Sequence, residues 1–288
     1  MGEEADILVV NDDGFHATGF RFLLRTLSDL GYNLVAVSTS KASSGTGKSL
    51  SFSYRVYLTE VESVKTYVIE GGTPATAILH MLYKEGIRPR LVVSGINHGA
   101  NIGLEDILSS GTIGAVIESA LHGIPGVAFS KYLPRWSPDI DIPGTLGNED
   151  AVLVGYLVDT LLKASISCEK TECLAYNVNL PRDEPKELIM ATPSFRVYDN
   201  ISIRYEDGLY KLSSNPQFYA NGAEECTDVG SILAGKASIT SISWLYSRIL
   251  GDCRGSDILV KELILNEPPP PSISILDCWG TREWATTV

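Results

Sequence analysis

Two adjacent carboxylates, Asp12 and Asp13, stand in "VVNDDGF" directly after an apolar run, and Gly14 behind them permits a sharp exit of the chain. At the carboxyl end of a buried strand such a pair aims hard oxygen ligands into a crevice, which suits Mg²⁺ or Mn²⁺. Asn, Asp and Gly are also ordinary turn formers, so a solvated turn is the competing reading. A second segment, "SGINHGANIG", leaves the run "RLVVS" with Asn97 and Asn101 among glycines. Carboxamide oxygens coordinate hard cations, while carboxamide N–H groups and glycine amides donate to phosphate oxygens; the alternative is a plain glycine turn. In a third, "SSGTIGAV", Ser109, Ser110, Gly111 and Thr112 lie just before an amphipathic helix. Free amides there favour an anion, and simple helix capping by Ser or Thr is equally compatible.

The stretch "ASSGTGKS" over residues 42–49 is one residue short of a P-loop. A P-loop launches a helix toward the phosphates, yet Leu50, Phe52, Tyr54, Val56 and Leu58 alternate with polar residues, which predicts a strand. "RLVVS" also ends in Ser94 instead of the Asp that a triphosphatase uses for Mg²⁺. A P-loop-like NTPase is thereby reduced to a minor alternative with Lys48 peripheral, and what remains is a Ser/Gly loop able to offer a hydroxyl. His16, His80, His98 and His122 show no metal-ligand spacing. His80 is expected on a helix surface, His122 at a helix end, and His16 and His98 near the site. Neither a G-x-S-x-G elbow nor a nucleophilic Cys context is present, which disfavours covalent acyl chemistry.

These residues need a scaffold that brings strand ends together. The first half alternates apolar runs ("ADILVVN", "NLVAVS", "KTYVIE", "RLVVSG", "GVAFS") with helical patterns. In "GFRFLLRTLSDLG" the helical stripe is Phe20, Leu23, Leu24, Leu27 and Leu30, and "GTPATAILHMLYKEG" has Pro74 in its first turn. This pattern predicts an α/β fold with a mostly parallel sheet covered on both faces, whose ligands bind outside the carboxyl ends of the strands. After about residue 135 a helix from Asn148 through Lys163 is followed by shorter β signals, with a hairpin at Asp207-Gly208. A soft boundary is placed there: residues 1–135 form the metal- and phosphate-binding core, and 136–288 complete it and carry a smaller β-rich extension. The end of the chain is expected to wrap the surface or a partner subunit.

Composition bounds the rest. The 288-residue chain carries a net charge of −12, which argues against a nucleic-acid polymer as partner. Its longest apolar runs are strand-sized, so no membrane span is expected, and the acidic start "MGEEAD" lacks a leader pattern. Five widely spaced cysteines without a CxxC pair suggest reduced thiols. A cytoplasmic protein is expected.

Taken together, "ILVVNDDGFHATG", "SSGTGKSLS", "GGTPATA", "VVSGINHGANIG" and "SSGTIGAVIESALHGIPGVAFS" resemble the SurE family in order and spacing, and "NVNLP" and "TDVGSILAGKASIT" are similar to its later landmarks. The resemblance implies a Rossmann-like three-layer sandwich assembled as homodimers or homotetramers. It implies a metal-dependent phosphomonoesterase of the 5′-nucleotidase type, acting on nucleoside 5′- or 3′-monophosphates with one divalent ion (Mg or Mn) per subunit. Carried over by motif, Asp12, Asp13, Ser44 and Asn97 would hold the metal; the resemblance alone selects Ser44 over Ser43 and Ser49. Asn101, Ser110, Gly111 and Thr112 would face the phosphate, with Asp12, Asp13 and Asn101 as the catalytic set. Two departures stand out: many members have a Pro after the second strand where this chain runs "VSTSKASS", and an acidic residue where this chain has Thr76. The rivals are a non-catalytic nucleotide-binding module and a haloacid-dehalogenase-type phosphatase, whose Asp-x-Asp the adjacent Asp12-Asp13 does not supply.

Overall fold

The computed structural model describes residues 5–133, 145–167, 171, 174–195, 200–215, 226–243, 254–266 and 268–277. The chain opens with β1 (Ile7–Asn11), α1 (Thr18–Asp29) and β2 (Leu34–Thr39), then an antiparallel pair, β3 (Arg55–Val61) and β4 (Val64–Glu70). It continues through α2 (Pro74–Tyr83), β5 (Leu91–His98), α3 (Gly103–Ser109), α4 (Gly111–Leu121), β6 (Gly126–Lys131), α5 (Asn148–Ser167), β7 (Ala175–Leu180) and β8 (Glu187–Met190). The last described elements are the hairpin β9 (Asn200–Glu206) and β10 (Leu209–Asn215), α6 (Asp228–Leu233), β11 (Ala237–Ser241), α7 (Arg254–Asn266) and β12 (Ser274–Asp277).

Ten strands form one sheet in the order β12-β8-β11-β7-β6-β5-β1-β2-β4-β3, so strands from both sides of residue 135 share it. Except for β3–β4 and β7–β11, neighbours run parallel. β1 is central and buried at every position, as a strand covered on both faces must be. Phe20, Leu23, Leu24 and Leu27 of α1 pack with Leu153, Leu157 and Leu161 of α5 on one face. On the other, Ile78 and Met81 of α2 join Leu8 and Val10, and Ile113 and Val116 of α4 pack on Ala128 and Ala175. Between β1 and β5 the direction of winding reverses, which opens a crevice at their carboxyl ends.

Four details differ from the sequence-based expectation. β3 begins at Arg55, whereas the alternation starts at Leu50; Phe52 is 94% exposed, because an edge segment that buries neither face gains nothing from a period of two. α1 ends its buried stripe at Leu27, and Leu30 is exposed. β5 continues past Ser94 to His98 through an irregularity at Gly95, whose φ of +120° and 2.2 Å Cβ-to-Phe129 O approach admit only glycine. Cys226 is disulfide-bonded, against the expectation of reduced cysteines; the other four lie outside the described residues. The Asp207-Gly208 hairpin is present, both turn residues having positive φ. The Pro-containing loop after residue 135 and "WLYSR" lie outside the described residues. Among the described residues no helix is long and apolar enough to cross a membrane.

A wholly buried ion pair holds the end of β6. Lys131 Nζ lies 2.8 and 2.9 Å from the two carboxyl oxygens of Asp150 in the first turn of α5, with both side chains 0% exposed. Burial pushes the Asp150 carboxyl up, and Lys131 pulls against that shift. Removing one partner would leave the other charge uncompensated. Lys131→Met is expected to destabilise the fold by ~3–5 kcal/mol in urea unfolding, with Lys131→Met/Asp150→Leu recovering most of the loss.

Candidate functional site

The crevice between β1 and β5 is built from backbone turns that tie three loops to one carboxylate. Asn11 closes the exit of β1 by donating from Nδ2 to Gly14 O, 2.9 Å away, so Asp12 and Asp13 leave the strand at its tip. The Asp12 carbonyl accepts from Ser43 N at 2.8 Å and from Thr39 Oγ1 at 3.1 Å, which anchors the 40–49 loop beside it. Thr112 Oγ1 donates to Asp12 Oδ1 at 2.8 Å, and a backbone bond from Thr112 also favours its charged form. Asp12 Oδ2 comes so near α4 that a Cβ on Gly111 would stand 2.6 Å from it and 2.9 Å from Thr46 Oγ1. Any side chain at position 111 would therefore displace the carboxylate.

Asp13 turns to the other strand end. Its Oδ2 accepts from His98 N at 2.8 Å, which holds the tip of β5 against the acidic pair. Asn97, one residue earlier and half-buried, donates from Nδ2 to Gly99 O at 2.8 Å, so its carboxamide oxygen is the group it can offer a ligand. Asn101 is buried, and its Nδ2 donates to Ser130 Oγ at 2.8 Å, with a second N–H on the same nitrogen. Ser110 caps α4 by accepting from Ile113 N at 3.2 Å. Ser44 is exposed on the anchored loop.

Electrostatics mark Asp12 as the unusual group. Only 3% exposed, its carboxyl is raised from 3.8 to about 7, first by burial and then by the Asp13 charge, with the Thr112 bonds pulling the other way. Among the described residues no Lys or Arg acts on it, and no cluster of three or more His, Cys, Asp or Glu forms a metal cage. The donor set is instead two carboxylates with a carboxamide and a hydroxyl nearby, which are hard oxygen ligands, and a divalent ion would supply a countercharge that no described Lys or Arg gives Asp12. This fits Mg²⁺ or Mn²⁺.

Thus Asp12, Thr112 and Gly111 touch or nearly touch, Asp13 reaches the Asn97 segment through His98, and Ser44 lies one residue from the Ser43 anchor. Lys48 is ion-paired with Glu118 of α4, away from any phosphate role. No helix follows Ser49. His80 lies on the α2 surface but is partly covered: its ring is 3.3 Å from Glu85, and burial lowers its pKa. Thr76 accepts from Ser51 N at 2.8 Å and shares a 3.0 Å hydroxyl contact with Thr73, so this departure pins the far end of the loop. Sequence reasoning reads "NVNLP" only as a landmark and assigns no role to Asn177, Asn179 or Ser130, which contact Asn101. A signal existed: polar residues two apart in "AYNVNL" occupy one face of a buried strand. Nor was α3 read, a short helix whose start Asp228 holds by accepting from Gly103 N at 2.7 Å.

A doubly covered, mostly parallel sheet with an acidic, hard-oxygen crevice at its winding reversal defines an α/β protein with its ligand crevice at the carboxyl ends of the strands. The family profile "Survival protein SurE" matches residues 7–200. The 5′-nucleotidase SurE of Campylobacter concisus is 34% identical over 248 residues, covering 82% of this chain and 92% of that one. That of Nitratiruptor sp. is 32% identical over 244 residues with the same coverage. The crystal structure of the SurE protein from Aquifex aeolicus superposes with a TM-score of 0.63 at 28% identity, covering 83% of this chain and 93% of that one. The chain belongs to the SurE family.

In chelator-treated protein, carboxyl NMR is expected to show one aspartate titrating near pH 7. Its folded pKa lies above the ordinary value, so folding takes up a proton. The contribution of Asp12 to stability is then fully present below about pH 4 and is lost as pH rises through about 7. Thr112→Val removes a bond to the ionised form and is expected to move the midpoint higher.

Proposed function

We propose that the chain hydrolyses nucleoside 5′- or 3′-monophosphates to nucleoside and phosphate at one divalent ion. It is a phosphoric monoester hydrolase of the 5′-nucleotidase type, as its SurE relatives are named. The observation that carries the reading is the buried Asp12 carboxyl beside Asp13, with no Lys or Arg among the described residues acting on Asp12, at the start of a helix able to receive an anion. In this reading Asp12, Asp13, Ser44 and Asn97 hold Mg²⁺ or Mn²⁺. Bound there, the ion would polarise a phosphoryl oxygen and lower the pKa of water.

The chain's own groups do the rest. Thr112 spends its hydroxyl on Asp12 and thereby sets the direction of that carboxylate, so we assign its effect on phosphate to that contact. The Ser110 hydroxyl hydrogen, the Gly111 amide and the second N–H of Asn101 are donors for the equatorial oxygens, where charge must be stabilised during transfer. Asn101, buried on the β5 exit, would present its donor without reorganisation. A non-catalytic nucleotide binder would use the same donors and release nothing, so turnover separates the two readings.

We also propose a homodimer or homotetramer as the working assembly. The β9–β10 ribbon pairs Ile203 with Leu212 and Tyr205 with Tyr210 on one face, all four exposed, while Arg204 and Lys211 lie on the other. A two-stranded ribbon is marginal by itself, and an apolar face of this kind is suited to a second copy. Cytoplasmic placement, expected from sequence, is harder to reconcile with a disulfide at Cys226.

The test is phosphate release from a panel of nucleoside monophosphates and simple phosphomonoesters with Mg²⁺, Mn²⁺ or EDTA, on particles weighed by light scattering. EDTA is expected to abolish turnover and Asp13→Asn to lower kcat on the order of 100-fold or more. Turnover that survives both would overturn the proposed chemistry, and a monomeric mass would overturn the assembly.

A further inference from the structure

Asn101 is gripped from the strand two places along the sheet. β7 is buried over its whole length, and its Asn177 and Asn179 share a face. Asn179 meets both backbone groups of Asn101: its Oδ1 accepts from Asn101 N at 2.8 Å and its Nδ2 donates to Asn101 O at 3.1 Å. Asn177 Nδ2 donates to the same carbonyl at 2.7 Å. Ser130 on the intervening β6 accepts from the Asn101 side chain at 2.8 Å. A carbonyl oxygen can only accept, so both carboxamides face it with nitrogen and their orientations are fixed.

Packing alone does not call for this arrangement. Asparagine is depleted in strands, and two of them in a wholly buried one must each find partners in place of water. Branched apolar residues would fill the same space, as Val178 and Leu180 do on the opposite face. All three hydrogen bonds from the asparagine pair to the 97–103 loop converge on one residue, the one read above as a donor to the phosphoryl group. Misplacing such a donor by about 1 Å can cost on the order of 100-fold in rate.

We propose that Asn177 and Asn179 are positioning residues for the hydrolysis: they clamp the Asn101 backbone so that its carboxamide, steadied by Ser130, presents its remaining N–H to the phosphoryl oxygens in one orientation. This rests on the reading that Asn101 faces the phosphoryl group. The clamp acts on Asn101 and not on the metal, so its loss separates phosphate binding from metal binding.

The experiment uses the full chain. Asn177→Ala, Asn179→Ala, Asn101→Ala and the doubles with Asn101→Ala are compared for kcat and KM on a phosphomonoester, for affinity toward inorganic phosphate by calorimetry with Mn²⁺, and for Mn²⁺ affinity by EPR. The nearly isosteric Asn177→Leu and Asn179→Leu replace any alanine variant that does not fold. Ser238→Ala, opposite Asn179 on β11, is the buried-polar control. The clamp variants are expected to lose kcat by about 10–100-fold and to bind phosphate more weakly, with Mn²⁺ affinity unchanged. On the Asn101→Ala background they should add no further loss, because they act through that residue. Folded clamp variants with wild-type kcat and phosphate affinity, or losses that add fully to those of Asn101→Ala, would overturn the proposal. If the wild type releases no phosphate from any monoester, the hydrolase reading fails. The phosphate-affinity series then still decides the clamp: weaker binding in the variants supports it, and unchanged binding overturns it.

Discussion

Asp12 is buried at the tip of the central strand with Asp13 as its chain neighbour. Ionising one carboxyl inside a fold is costly, and a second carboxylate alongside raises the cost further. The Thr112 bonds offset part of that penalty, but no Lys or Arg among the described residues does so. Asp12 and Asp13 thus lie side by side at the position where the winding of the sheet reverses, and glycine at 111 leaves the Asp12 carboxylate its space. A bound cation would offset the charge of the pair and would make the crevice attractive to a phosphate in an acidic protein.

The surrounding loops are arranged around the same pair. The 40–49 loop hangs from the Asp12 carbonyl at one end and from Thr73 and Thr76 at the other, so Ser44 sits on a segment anchored on both sides. His98 N ties the β5 exit to Asp13, and Gly95 allows the strand to deform before it gets there. Asn101 lies farther along that exit, held from β6 and β7 and steadied from beyond by the Asp228 bond to the start of α3. One strand reversal thereby gathers the residues proposed to hold the metal and those proposed to receive the phosphate.

Much of this was legible in the sequence because local chemistry and position agreed. Continuous apolar runs ending in Asn11 or Ser94 announce buried strands, and Asp, Asn and Ser at such ends announce a crevice. The P-loop likeness could be set aside from the residues after Ser49 together with the Ser94 that ends "RLVVS", and no helix follows Ser49. What was not legible depends on tertiary contact. Leu50 to Tyr54 alternate like a strand but pair with no strand of the sheet, Lys48 looks nucleotide-directed until Glu118 of α4 meets it, and His80 becomes partly covered only when Glu85 and Tyr54 close around it. Asn177 and Asn179 were visible as a polar stripe in a buried strand, but their target lies two strands away and some 76 to 78 positions earlier in the chain.

The central claim is that Asp12 and Asp13 are brought together to share one divalent ion. A crystal grown with Mn²⁺ and measured at the manganese edge tests it most directly. The account predicts one anomalous peak per chain with carboxylate oxygens of both Asp12 and Asp13 within ~2.0–2.4 Å. Full occupancy elsewhere, or a peak in the crevice that neither carboxylate coordinates, would contradict it.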